Sequence, residues 1–433
     1  MVGKGTLLVI LGFSLIFGLA SQYWNRMSNQ AVDNFVQYYD QTAAHNIAVS
    51  AANIALNSVF MNPTNNSSRT LPTGSFYNGY IQSLTIDSIG QQELRITAVG
   101  RYEGLITTVQ VKLGAQSFSE FALYTSTMSG VYWASGDTVG TPGDTASGAV
   151  HSEDSLNVIG SPVFYGRVTS KGGLYTPRGY TANPIFYGQY QRGVSIPMPT
   201  TSVANVQTAA GSGGAVINNP NVGSPFEVYM TFSVDNSSGT PVTEVTYHTT
   251  THPSDTTVSL SSLSTNGVIM VNNGNLHVHG TVNGQVTVGA TTSTSGYGNV
   301  YINGNVMCNT DPRSNPNSTD AIGIVALNNV TVESDNAYKG ISPSNPPVNP
   351  TIEAAIFAQN GKFSGYYKTT DSYKNLGAIH VFGSITNYSV GATSDASITY
   401  GYNANYKFDK RFANMHPPSY PITGKYQVLS WYE

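Results

Sequence analysis

Charge is scarce in this sequence. Lys, Arg, Asp and Glu make up only 10% of 433 residues, against about 25% in ordinary soluble domains. The net charge is −4 and no run of Lys or Arg stands out. A nucleic-acid surface needs clustered cations to displace counterions from phosphate, so that class is excluded. Cysteine is nearly missing as well: Cys308 stands alone. An intrachain disulfide and a thiolate metal cluster are both ruled out. Gly, Ser, Thr, Asn and Tyr dominate instead, which favours short strands and frequent turns. Val, Ile and Tyr are numerous enough to bury a core, which argues against disorder. A chain of this length is expected to form two or three domains.

Long hydrophobic runs are also rare, and the clearest one lies at the start. Lys4 is the only charge before Arg26, and between them lies TLLVILGFSLIFGLAS, residues 6–21. As a helix this run is roughly 25 Å long, the short end of a membrane span. Tyr23, Trp24 and Arg26 follow at once. Aromatic and basic residues suit a membrane interface. Val32, Phe35, Val36, Tyr39, Ala43, Ile47, Ala51, Ile54 and Ala55 then recur at spacings of three and four, the mark of a one-sided helix. No Pro or Gly interrupts residues 19–61, and Pro63 with the NNSS after it stops the pattern. The spacing predicts one helix over 1–62, fully apolar in its first third and one-sided after it.

This beginning has three readings. A signal peptide, cut near Gly18-Leu19-Ala20 to leave Ser21 first, gives a secreted β-helix adhesin. A plain single-pass anchor keeps Met1. The third is a stalk that leaves the membrane and packs in a filament core, and it accounts best for an apolar run that continues unbroken into a one-sided helix. Lys4-Gly5 before that run resembles the leader junction of a type IV pilin of the minor-pilin or pseudopilin kind, over residues 1 to about 120. The resemblance implies insertion by the Sec machinery and a cut between Gly5 and Thr6. It implies a single N-terminal membrane span with Tyr23, Trp24 and Arg26 at the interface. It also implies assembly with its own or other pilin-like subunits through Leu7, Leu8, Ile10, Leu11, Phe13, Leu15, Ile16 and Phe17. The protein would be anchored in the inner membrane before assembly and stand on the cell surface as a filament after it. Where that family carries a glutamate five residues after the cut, Ile10 stands here.

Beyond the helix the chain reads as α+β and mainly β. Residues 63–120 read as an antiparallel meander packed on the helix, with strands FYNGYIQSLTID, LRITAVGRYEG and LITTVQVKL broken at Gly90-Gln91 and Gly104. From 121 onward, apolar triplets alternate with Gly and Asn. Sharp corners between short strands need residues that tolerate the left-handed region. This pattern predicts a β-solenoid (β-helix) in two blocks, 121–194 and 266–400, with Val and Ile stacked between rungs. Residues 195–265 read as an insertion: a mobile loop, then a hairpin with its turn near Ser238-Gly239. Residues 401–433 read as a C-terminal cap on the last rung. GAVHSEDSLNVIGSPVFYGRVTS, AAIFAQNGKF and the ending PPSYPITGKYQVLSWYE resemble an uncharacterised bacterial surface family that joins a pilin-like N-terminus to a β-helix. That resemblance covers about 120–433 and implies no chemistry.

The alternative is a surface-anchored carbohydrate-active β-helix enzyme. Sugar hydrolysis needs two carboxylates about 5–10 Å apart across one groove. The solenoid is poor in acids. Asp311, Asp320 and Glu353 sit in turn-rich stretches, and Glu333 with Asp335 is a pair that reads more simply as a solvated strand face. His277 and His279 share a strand face, which suits a metal, but nothing in the sequence brings His380 beside them. GSGG at 211–214 lacks the strand–turn–helix setting of a phosphate loop. No catalytic residue, metal or cofactor is assigned, and the chain is read as a non-enzyme. The 28 Tyr residues suit contact with glycans or another cell surface.

Overall fold

The computed structural model describes residues 3–62, 67–90, 92–135, 138–139, 148–237, 239–333, 346–369, 374–395 and 399–432. Pro63, Gln91, Ser238 and Asp335, named above, lie outside them. The chain forms a long N-terminal helix followed by mostly β structure, divided between two compact units. One holds Met1–Ala115 with Gly424–Glu433, and the other Gln116–Thr423.

In the first unit the helix runs unbroken over Gly3–Met61. It packs on the strands Gly79–Gly90 and Glu93–Tyr102 of an antiparallel sheet. That sheet continues through Leu105–Ser117 to the last strand of the chain, Ile422–Tyr432. Ala44, Ala48, Ala51, Ala52 and Ala55 form the contact stripe and are fully buried. Glu93–Tyr102 alternates, with Leu94, Ile96, Ala98 and Gly100 turned inward, the period of two that a half-buried strand requires. Gly100 marks the closest approach. A Cβ there would stand 2.4 Å from the Ala44 carbonyl and 2.6 Å from the Ala48 nitrogen. Small residues on the helix and a glycine, with no side chain, at this point of the strand allow this spacing.

The second unit is built of curled, mainly parallel sheets. One sheet runs in the order Ala215–Asn218, Val268–Asn272, Gln285–Thr291, Ala321–Ala326, Ala355–Ala358 and Ala378–Ser389. It then continues into Phe121–Thr127, Ala149–Ser152, Val168–Ser170 and Tyr190–Arg192. The join pairs Ile385 with Leu123 and Thr386 with Tyr124. The chain therefore enters the stack in its middle and builds outward to Arg192. Residues 193–214 carry it to the far end, and it then builds back. A second sheet runs beside the first, from Glu227–Asp235 through Asn275–Val282 and Val300–Cys308 to Val330–Val332 and Phe363–Gly365. Ala378–Ser389 serves both sheets. Its first half pairs with Asn403–Phe408 and its second with Ala355–Ala358. Between the halves stands Gly383, where a Cβ would lie 1.9 Å from the Ala354 carbonyl.

Register explains the core. Val228, Leu276, Val300, Val330 and Phe363 lie directly above one another, and all are buried. At a neighbouring corner the amides form their own column. Asn299 donates to Asn275 Oδ1 at 3.1 Å and Asn329 to Asn299 Oδ1 at 3.2 Å. Each corner thus satisfies polar groups that the short strands leave open.

Two expectations are corrected. The loop of the 195–265 segment is not a mobile excursion. Residues 193–214 lie as a strap on the outer face of the first sheet. Val203, Val206 and Ala210 of the helix Ser202–Gly211 pack there with Phe357, Val325 and Met270. Gln359 accepts from the Val203 N–H at 2.8 Å and donates to the Thr200 carbonyl at 2.8 Å. The hairpin joins the stack through its first strand, with Val228 beside Leu276. The tail covers the last rung only in part. Asn403–Phe408 pairs with Ala378–Gly383, whereas Phe412 and Tyr420 pack on that same outer face, the Pro418 carbonyl accepts from Thr287 Oγ1 at 2.6 Å, and the final strand belongs to the first unit's sheet.

Candidate assembly and membrane interface

The helix divides by exposure rather than by sequence. Its residues 3–39 are all exposed, and burial sets in at Ala44. Leu7, Leu8, Ile10, Leu11, Phe13, Leu15, Ile16 and Phe17 are each between 57% and 72% exposed. Successive residues advance about 100° around an α-helix, so these side chains surround the axis. A helix apolar all round and in contact with nothing is not stable in water, and it calls for lipid or other helices. By length and composition it is long and apolar enough to cross a membrane. Gly5 and Thr6 fall in its first turns, with open space around Gly5. Tyr23 and Trp24 follow at 64% and 75% exposure, and Arg26 is exposed beside them. The structure places these residues on one rod, in chain order, with none turned into the body.

The one-sided spacing begins before the burial does. Val32, Phe35, Val36 and Tyr39 keep the one-sided spacing yet remain 48% to 70% exposed. Tyr39 meets its own sheet only edge-on, with ring centroids 6.1 Å from Tyr102. The uncovered apolar surface therefore extends past Arg26 to Tyr39, about 55 Å of helix at 1.5 Å per residue. The signal was the run of bulky residues itself. Close contact with this sheet needs Ala, and Ala becomes regular only from position 43.

Most of the side chains named for chemistry have partners in this chain, and Glu333 is half-buried rather than on a solvated strand face. His277 is buried with Nε2 3.0 Å from Glu227 Oε2, and it stacks between Tyr229 and Tyr301. His279 meets Asn303 at 2.8 Å, and His380 meets Asn405 at 2.9 Å. Among the described residues no three His, Cys, Asp or Glu side chains are placed to hold a metal. Glu353 is ion-paired with Arg313 at 2.6 Å and accepts from the Cys308 N–H at 2.8 Å. Asp320 accepts from the Gly284 and Thr310 N–H groups, and Asp311 pairs with Arg313. These carboxylates pin loops. Burial pushes Glu333 up to about 7. GSGG follows the C-terminal end of the helix Ser202–Gly211, so no helix N-terminus faces it. Cys308 is buried, and burial, followed by the charge of Glu353, pushes its thiol up to about 12.

Sequence reasoning missed the residues that hold the strap. Glu153 accepts from Ser195 Oγ at 2.5 Å and the Ile196 N–H at 2.6 Å, and pairs with Lys171 at 3.0 Å and His151 at 3.2 Å. Burial opposes its charge, but these hydrogen bonds outweigh burial and hold the carboxyl at about 2.

No protein-family model and no curated protein matches the chain. Among solved structures, the competence-associated pilin ComZ from Thermus thermophilus is similar, at 14% identity over 91% of this chain and 97% of that one, with a TM-score of 0.34. A score this low leaves the functional reading to the helix itself.

Proposed function

We propose that this chain is a structural subunit of a type IV pilus-like or pseudopilus-like surface filament. One observation carries the reading. A single unbroken helix packs on its own sheet from Ala44 onward and leaves residues 3–39 as a rod, apolar all round over 6–21 and exposed among the described residues. In the membrane, lipid covers that rod. In a filament, the rods of neighbouring subunits cover it, and the free energy of burial at about 25 cal/mol per Å² drives assembly. Cleavage after Gly5 precedes assembly, with Tyr23, Trp24 and Arg26 at the interface beforehand. The second unit is a β-solenoid head displayed outward, available for contact with glycans or another cell surface, and it performs no catalysis. The size of the head and Ile10 in place of a glutamate point to a minor or tip subunit.

Substitution tests the reading. Ile10→Lys or Leu15→Lys places a charge inside the apolar run 6–21, at a cost of up to about 3 kcal/mol in a bilayer. The expected result is a folded head and a chain absent from surface filaments. Normal filaments containing either variant would refute the proposal.

A further inference from the structure

The stack of the second unit has a seam sealed on one side only. On the first sheet Ile385, Thr386 and Asn387 pair in register with Leu123, Tyr124 and Thr125. Around the rest of that level the ladders stop. Asn403–Phe408 pairs with the first half of Ala378–Ser389 and forms no second ladder among the described residues. Among the described residues Thr138–Val139 pairs with Val163–Phe164 and Trp133 bridges to Val158. A cavity of about 510 Å³, lined by residues 404–408 and by Met128, Val131, Tyr132 and Trp133 among others, lies within the range of about 300–1,000 Å³ that holds ligands.

The walls of the cavity say what fits. Leu123, Met128, Trp133, Phe363, Val381 and Ile385 make it apolar. Five consecutive residues, 404–408, also line it. Asn403–Phe408 has a ladder on one side only among the described residues, so its other side is an unpaired strand edge. That edge presents backbone N–H and C=O groups, which a strand from another chain can pair and a compact apolar molecule cannot. Lys407 stands exposed on the same edge and has no carboxylate partner among the described residues.

We infer that the seam accepts an extended segment of another polypeptide. The segment adds a strand to the Asn403–Phe408 edge, sets an apolar side chain into the cavity, and places a carboxylate beside Lys407. Main-chain pairing supplies affinity and the alternate side chains supply choice. This site is independent of the filament assignment.

The test mixes the full chain with a blocked hexapeptide that alternates valine and threonine around one central aspartate. Amide exchange at 404–408 should slow at least about tenfold at saturation, and Trp133 fluorescence should change in a background with Trp24→Phe and Trp431→Phe. Lys407→Glu should weaken binding about tenfold, a step of about 1.4 kcal/mol, and a peptide carrying lysine for the aspartate should restore it. No protection of 404–408 at saturating peptide would overturn the inference. So would equal binding of a proline-bearing peptide that cannot form a ladder. Occupancy of the cavity by benzene alone, with the edge amides still exchanging freely, would also overturn it.

Discussion

Gly100 is the position at which a single carbon should separate the helix from its sheet. A Cβ there stands 2.4 Å from the Ala44 carbonyl oxygen and 2.6 Å from the Ala48 nitrogen, and ordinary contact begins near 3.4 Å. Both obstacles are helix backbone, which cannot rotate aside. The helix must therefore lift by about 1 Å, and a gap of 0.5–1 Å already forfeits a quarter to a half of each dispersion contact. Overpacking of this kind costs about 1–3 kcal/mol. Alanine returns about 0.4–1 kcal/mol by restricting the unfolded chain, so Gly100→Ala should lose about 1–2 kcal/mol and Gly100→Val more. Trp431 lies in the last strand of the same sheet and reports on it. Urea unfolding of the detergent-solubilised chain, followed by Trp431 fluorescence with Trp24→Phe and Trp133→Phe, reads the loss directly. Gly18→Ala is the control, because nothing lies within 4 Å of that position. A Gly100→Ala midpoint equal to that of the parent would show that the close approach carries no energy.

Two further outcomes follow from buried groups in the second unit. Glu153 is held at about 2, below its ordinary 4.5; a carboxyl with a depressed folded pKa contributes stability that is present above pH 4.5 and lost as pH falls towards 2. Protease cutting at 193–200 should therefore rise over that window, and Glu153→Gln should raise it at neutral pH by leaving buried donors poorly paired, at about 1–3 kcal/mol. The buried donors concerned are the Ile196 N–H and His151; a pH-independent cutting rate, or an unchanged rate in Glu153→Gln, would contradict this. Cys308 is 6% exposed and its thiol is pushed up to about 12, so iodoacetamide at pH 8 should label it only in denaturant. Equal labelling of the folded chain would refute the burial.

The helix was legible because its signals are local: an apolar run, a three-and-four spacing, and no breaker before Pro63. Short parallel strands with Gly and Asn corners were legible for the same reason. The order of the stack was not. Leu123 pairs with Ile385, and a contact across that much chain leaves no periodic trace. The strap and tail did leave a trace that went unread. Ala321–Ala326 is buried at every position, and a strand without alternation is covered on both faces. Something had to lie outside it, and Val206, Phe412 and Tyr420 do. The start of the buried stripe of the helix was not legible, because periodicity marks a face without saying what covers it. Val32 and Phe35 share the spacing of Ile47 and Ala51, yet only the latter two are buried.

If residues 6–39 leave the membrane as the packed core of a filament, the N-terminal sequence and intact mass of the chain recovered from sheared surface filaments will show it. That chain should begin at Thr6 and keep the whole exposed helix. A chain that begins at Ser21, or one that keeps Met1 and stays in the membrane fraction, would contradict it.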